Sequence, residues 1–355
     1  MLGLGVLLAV GLGLAWLLVA GWTIATLVRP PRRTYASALA RGRPGDPGEL
    51  APGPRGVRAW RSWTVRWGGL DLPVWEIDGD DREGPVVVLT HGWGDSRIGA
   101  LTRAPHVLGR ASSVVMWDLP GHGEAPGRCT LGEREVDALR AVLEALASRG
   151  PDASPPVVLF GWSLGAGVSI VAAGGGPTGS ARRTPRIAGV IAEAPYRLVS
   201  TPARGMLVSM GLPHRATLGP ALWAVGVWCG AGASWKGFDR AAAAARLGVP
   251  LLVIHGSDDA ICPIADGRAI AAAAPHAEFC EVPGAGHSGI WTEEFRATLA
   301  AGAVGRWLDM LRSGFVHADG AGERPGPPPL PGPPGPEGPG AASPYHAPDV
   351  ETQHG

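Results

Sequence analysis

Lysine is almost missing from this chain: of 31 basic residues, Lys236 is the single lysine and the rest are arginine. A serine nucleophile activated by lysine would have to rely on Lys236, far from any loop expected to carry a site. Cysteine is scarce too. Cys129, Cys229, Cys262 and Cys280 are scattered, with no C-x-x-C and no close Cys/His grouping, so no metal is expected. Four cysteines in 355 residues do not make a disulfide framework either. An excess of charge is also lacking, since 31 basic residues face 31 acidic ones. That balance gives no reason to expect a nucleic-acid partner.

Long apolar sequence, by contrast, is present at once. Leu2 to Val28 carries no charge, and 27 residues at about 1.5 Å each can cross the roughly 30 Å hydrocarbon layer of a bilayer. Arg29, Arg32, Arg33, Arg41 and Arg43 come directly after it. A cleaved signal would carry positive charge before a shorter core and then a small-residue cleavage site. Residues 1–29 are therefore read as a single-pass anchor with the membrane as partner, a cleaved signal being the alternative. The arginines favour a cytoplasmic location for the catalytic domain on their C-terminal side.

Residues 30–58 are rich in Pro, Gly and Arg and read as a linker. Trp60, Trp63, Val65 and Trp67 then alternate with polar residues, and Leu72 to Ile77 comes next, which predicts two opening antiparallel strands. Short β-branched runs at 86–89, 112–117, 156–160, 187–192, 249–256 and 277–282 predict buried strands. A helix is predicted over 132–148 from Val136, Leu139, Val142, Leu143 and Leu146. Strands alternating with helices argue for an α/β fold, a mostly parallel central sheet covered on both faces.

The chemistry-bearing residues sit where such strands end. Ser163 lies in Gly161-Trp162-Ser163-Leu164-Gly165, between an apolar strand and a small-residue helix. Glycines on either side allow a sharp turn, and a helix N-terminus aimed at the serine favours negative charge there. His255-Gly256-Ser257-Asp258-Asp259 ends a later strand, and Gly284-Ala285-Gly286-His287 comes after the last one. A serine nucleophile needs a histidine to take its proton and a carboxylate to orient that histidine. His287 is the candidate base. Asp259 is the candidate carboxylate, with Asp258 and Glu193 as alternatives.

With His91-Gly92-Trp93-Gly94 and Asp118-Leu119-Pro120-Gly121-His122-Gly123 upstream, five motifs stand in a recognisable order. Residues from about 60 to 312 resemble α/β-hydrolase fold enzymes, nearest to the serine-aminopeptidase-like and Bem46-like hydrolases. The resemblance implies a hydrolase domain over 59–314 and a lid inserted after the sixth strand, at about 195–238. It also implies Ser163, Asp259 and His287 as catalytic residues, and the backbone N–H groups of Trp93 and Leu164 as the oxyanion hole. His91, His122 and His255 read as turn or packing residues and Cys262 as a small buried one.

Dense apolar residues between Leu198 and Trp228 would give the lid an apolar acyl pocket, or complete an ordinary helical flank, or touch the bilayer near the anchor. The Pro/Gly-rich residues 315–355 read as an extended tail, with a proline cluster that could engage an SH3-like groove. The function expected is a serine hydrolase acting on a carboxylic ester with a small, apolar acyl substrate and no cofactor. An amidase or aminopeptidase of the same fold, or a non-catalytic scaffold that keeps it, is the alternative. A dehalogenase is disfavoured because such relatives carry aspartate where Ser163 stands.

Overall fold

Eight strands form one sheet in the order β1-β2-β4-β3-β5-β6-β7-β8. The computed structural model describes residues 2–149, 155–175 and 184–318. The strands are β1 (Trp60–Trp67), β2 (Leu70–Asp78), β3 (Val86–Thr90), β4 (Ser113–Trp117), β5 (Val157–Trp162), β6 (Ile187–Glu193), β7 (Leu251–Gly256) and β8 (Ala277–Val282). β1 pairs antiparallel with β2, and β2 with β4; every other pairing is parallel. This is an α/β-hydrolase fold.

The helices are α1 (Leu2–Val28), α2 (Tyr35–Leu39), α3 (Arg97–Ala100), α4 (Pro105–Leu108), α5 (Glu135–Arg149), α6 (Leu164–Gly174), α7 (Ser200–Ser209), α8 (Leu218–Cys229), α9 (Arg240–Ala244), α10 (Ile264–Ala273) and α11 (Glu294–Ala318). Parallel strands bury both faces, and the alternation of side chains divides the core in two. Val88, Val115, Leu159, Val190 and Val253 face a cluster completed by α5, α6 and α9. Val87, Met116, Phe160, Ile191 and Leu252 face one completed by Ala300, Val304, Trp307 and Leu308 of α11. Trp117, Phe160 and Trp307 are fully buried, each worth about 2–3 kcal/mol of removed apolar surface.

Gly189 of β6 is the contact point of α11: a methyl group there would lie 2.5 Å from the Trp307 ring. The helix runs to Ala318, four residues past the domain end expected at 314. The Pro/Gly-rich tail lies, from residue 319 on, outside the described residues.

Between β6 and β7 the chain leaves the sheet and forms α7 and α8. α1 packs against α8: Thr23 Oγ1 donates to Thr217 Oγ1 at 3.1 Å, and Trp16 Nε1 to Ala216 O at 3.3 Å. Beyond α1 the segment 30–58 lies against the body. Arg32 donates to Gly123 O and Ala125 O, and Cys129 N donates to Val28 O at 3.0 Å.

Candidate active site

Ser163 occupies the turn between β5 and α6 with φ +52° and ψ −114°, a conformation that side chains larger than glycine rarely adopt. The flanking glycines explain how the turn closes. A methyl group on Gly161 would lie 2.1 Å from Gly165 O, and one on Gly165 would lie 2.0 Å from Thr90 O. Only bare backbone fits on either side of the serine. The Ser163 N–H donates to Glu193 O at 2.8 Å, pinning the strained residue to the end of β6.

The loops after β7 and β8 meet this turn from the side. Gly256 lets them approach, since a methyl group there would lie 2.2 Å from Ala285 O, and Asp258 N donates to Ala285 O at 3.0 Å. His287 is thereby set between Ser163 and Asp259. Its Nε2 lies 2.9 Å from Ser163 Oγ, and its Nδ1 lies 2.7 Å from Asp259 Oδ2. The other oxygen, Asp259 Oδ1, accepts from Ile261 N at 2.9 Å and Cys262 N at 2.8 Å.

Burial by itself would raise the Asp259 carboxyl. The hydrogen bonds from His255 and His287, the charge of His287 and the Cys262 amide outweigh it and hold the group well below the ordinary carboxylate range. Of the alternative carboxylates, Asp258 is engaged by Ser257 Oγ at 2.7 Å. Glu193 is fully buried and accepts from Arg103 at 2.7 and 2.5 Å and from Trp291 Nε1 at 2.9 Å. Neither is the partner of His287.

Trp93 and Leu164 sit next to the serine, Leu164 as the first residue of α6 and Trp93 in the turn after β3. Gly92 brings that turn close, because a methyl group there would lie 3.3 Å from Ser163 Cβ. Among the described residues, neither the Trp93 nor the Leu164 N–H donates to another carbonyl outside the regular helices and strands.

The remaining histidines of the motifs have other main partners, although His255 Nε2 also comes within 3.5 Å of Asp259 Oδ2. His91 Nδ1–H donates to Gly92 O at 2.8 Å while its Nε2 accepts from Leu119 N at 3.0 Å. His255 Nε2–H donates to Cys262 O at 2.7 Å, and His122 Nδ1–H to Pro120 O at 3.0 Å. Cys262 is fully buried; burial, then the Asp259 charge, push its thiol far up, so it stays protonated. Among the described residues no three His, Cys, Asp or Glu side chains gather as a metal site.

A cavity of about 250 Å³ opens over Ser163. Its walls are mostly apolar, with Val199, Ala203, Met206 and Met210 on the side of α7. The N-terminal segment also lines it, through Leu27, Pro31 and Arg33.

A family model described as the alpha/beta hydrolase family matches residues 87–302. The chain belongs to that family. Over 252 residues it is 30% identical to a pimeloyl-[acyl-carrier protein] methyl ester esterase of Chromobacterium violaceum, covering 60% of this chain and 91% of that one. Among solved structures, the esterase Pf2001 of Pyrococcus furiosus matches with a TM-score of 0.58 at 20% identity, over 80% of this chain and 98% of that one. An esterase of Thermogutta terrifontis matches with a TM-score of 0.51 at 19% identity, over 71% and 99%.

Two parts of this α/β-hydrolase site were not visible in the sequence. The first is the support beneath the serine turn, where the Arg103 guanidinium lies 3.6 Å above the Trp162 ring and pairs with Glu193. Residues 103, 162, 193 and 291 share no spacing that would mark them as a group. The second is the wall made by Leu27, Pro31 and Arg33. Trp93 Nε1 donates to Leu27 O at 3.0 Å, and Arg33 pairs with Asp95 at 3.1 Å, so the end of α1 also holds the turn that carries Trp93.

Proposed function

We propose that the protein is a serine hydrolase cleaving a carboxylic ester through an acyl-enzyme on Ser163. The observation that carries this reading is the unbroken hydrogen-bonded line Ser163–His287–Asp259, at 2.9 and 2.7 Å. His287 Nε2 takes the Ser163 proton as Oγ attacks the acyl carbonyl, and returns it to the departing alcohol. It then takes a proton from water as that water attacks the acyl carbon, and gives it to Ser163 Oγ as the acyl–Oγ bond breaks, releasing the carboxylic acid and restoring the serine. Asp259 holds the Nδ1–H tautomer and stabilises the transient imidazolium. The N–H groups of Trp93 and Leu164 stabilise the tetrahedral oxyanion, each such donor being worth about 3 kcal/mol.

The apolar walls suit an acyl chain, and the relative from Chromobacterium violaceum, named as a methyl ester esterase, supports an ester over an amide. An aminopeptidase would need a free carboxylate for the substrate ammonium. Glu193 is consumed by Arg103 and Trp291, Asp95 by Arg33, and Asp258, engaged by Ser257 Oγ, does not line the cavity. Within the family we place the chain nearest to the Bem46-like hydrolases, on the motifs around His91, Ser163 and Asp259.

We further propose that α1 is a retained single-pass anchor. It is long and apolar enough to span a bilayer, and its last turn is part of the folded body through Leu27 O, Val28 O and Thr23. Cleavage as a signal would open the substrate cavity. Residues 30–58 and 59–314 then act as juxtamembrane segment and hydrolase domain.

A fluorophosphonate probe tests the reading. The wild-type chain is expected to label at Ser163 and Ser163→Ala to remain unlabelled, while a panel of model esters gives the preferred chain length. An unlabelled, folded wild-type protein beside a reacting control hydrolase would return the scaffold reading.

A further inference from the structure

The apolar helix α1 and the two helices α7 and α8 each leave large apolar side chains exposed, and both α1 and α7 pack against α8. On α8, Trp223 and Val227 are i,i+4 neighbours, Trp228 is exposed at the flank of the same solvent side, and Trp223 is 57% exposed. Val208 of α7 and Met210 just after it are exposed, as are Trp16 and Trp22 of α1. A soluble monomer rarely leaves so many large apolar side chains together in water.

The length of α1 says what covers them. Gly3 to Leu18 is exposed, and these 16 residues reach about 24 Å, short of a roughly 30 Å hydrocarbon layer. Gly21 and Trp22 in the next turn are exposed as well. Ala20 and Thr23 at that level are already buried against the body, with Thr23 bonded to Thr217 just before α8. A bilayer spanned by α1 consequently brings its headgroup boundary to α8. Exposed tryptophans are the residues that settle at this boundary.

Charge points the same way. Residues 195–238 contain Arg197, Arg204, Arg215 and Lys236 and no aspartate or glutamate. Arg197 is paired with Asp239, while Arg204, Arg215 and Lys236 are exposed. Exposed cations without acidic neighbours in the same segment as exposed apolar residues match anionic headgroups above acyl chains. The cavity over Ser163 is lined both by Leu27 and Pro31, at and just after the end of α1, and by Ala203 and Met206 of α7.

We infer that α7 and α8 dock into the boundary of an anionic bilayer beside α1, so that Ser163 receives its ester from the membrane itself. This rests on the anchored-hydrolase reading above and adds the source of the substrate.

The test uses the full chain in vesicles of phosphatidylcholine with and without phosphatidylglycerol. An environment-sensitive fluorophore is placed at Val227→Cys, and in a control at Arg82→Cys, both in a Cys280→Ser background because the other cysteines are buried. A blue-shifted emission at 227, quenched by spin-labelled lipid and stronger with phosphatidylglycerol, is expected; position 82 should behave as in water. Water-like emission at 227 in vesicles overturns the inference. So does a blue shift that persists in detergent and tracks cross-linked dimers, since a second copy would then cover the face.

In the same vesicles, Trp223→Asp/Trp228→Asp is expected to raise KM for a long-chain ester by about tenfold while leaving kcat/KM for a soluble short ester within about twofold. An unchanged KM also overturns it. If the wild type cleaves no soluble ester at all, the hydrolase reading fails, and the docking is then decided by the fluorescence.

Discussion

A carboxyl group flanked by two imidazoles does different work from one left in water. Asp259 Oδ2 lies 2.7 Å from His287 Nδ1 and 3.5 Å from His255 Nε2, and its carboxyl is held far down. Because the folded value lies below the unfolded value of about 3.9, the stabilisation is complete above that value and is lost as pH falls towards the folded one. Asp259→Asn removes it. Urea denaturation should therefore show the wild type ahead near neutral pH, with the gap closing below about pH 4. The same variant should lose about 10⁴ in kcat on a model ester, because the imidazole loses its fixed tautomer. Arg103→Met tests the support beneath the serine turn: Glu193 would be left buried with half its partners, at a cost of about 3–5 kcal/mol by chemical denaturation.

At the scale of elements, the serine turn depends on contact between bare backbones. Gly165→Ala drives a methyl group against Thr90 O, 2.0 Å away, and should cost about 3 kcal/mol or more, or leave no folded protein. Gly219→Ala in α8 is the counterpart. Nothing lies within 4 Å of a methyl group there, so a gain of about 0.5 kcal/mol is expected in the same denaturation assay. The central strands were legible because parallel strands buried on both faces read as short β-branched runs; the edge strand β8, mostly half-buried or exposed, was nevertheless read at its observed limits. Helices α3 and α4 were not, since four residues carry no periodicity. The site loops were legible because each comes after a strand and carries a glycine that the packing demands. The docking of α1 was not, because a span and a packing face have the same apolar composition.

For the molecule as a whole, two buried histidines set the acid limit. Burial lowers His91 well below 6.5, helped by nearby His122, and burial lowers His122 to about 4. His122 Nε2 has no hydrogen-bond partner among the described residues, so a proton there would be buried without an acceptor. The unfolded chain thus binds these protons at higher pH than the native one. Stability should begin to fall as pH drops below 6.5, by about 1.4 kcal/mol per pH unit for each histidine, until His122 titrates in the folded state near pH 4. Denaturation of the full chain in detergent at a series of pH values reads this slope, and His122→Gln should roughly halve it.

The bond from the Trp93 indole to the Leu27 carbonyl has a practical consequence. A fragment trimmed to begin after Val28, the usual route to a manageable soluble sample, would have a breached chamber and a loosened loop beside its serine. Such a sample would describe a leakier and less selective catalyst than the intact chain.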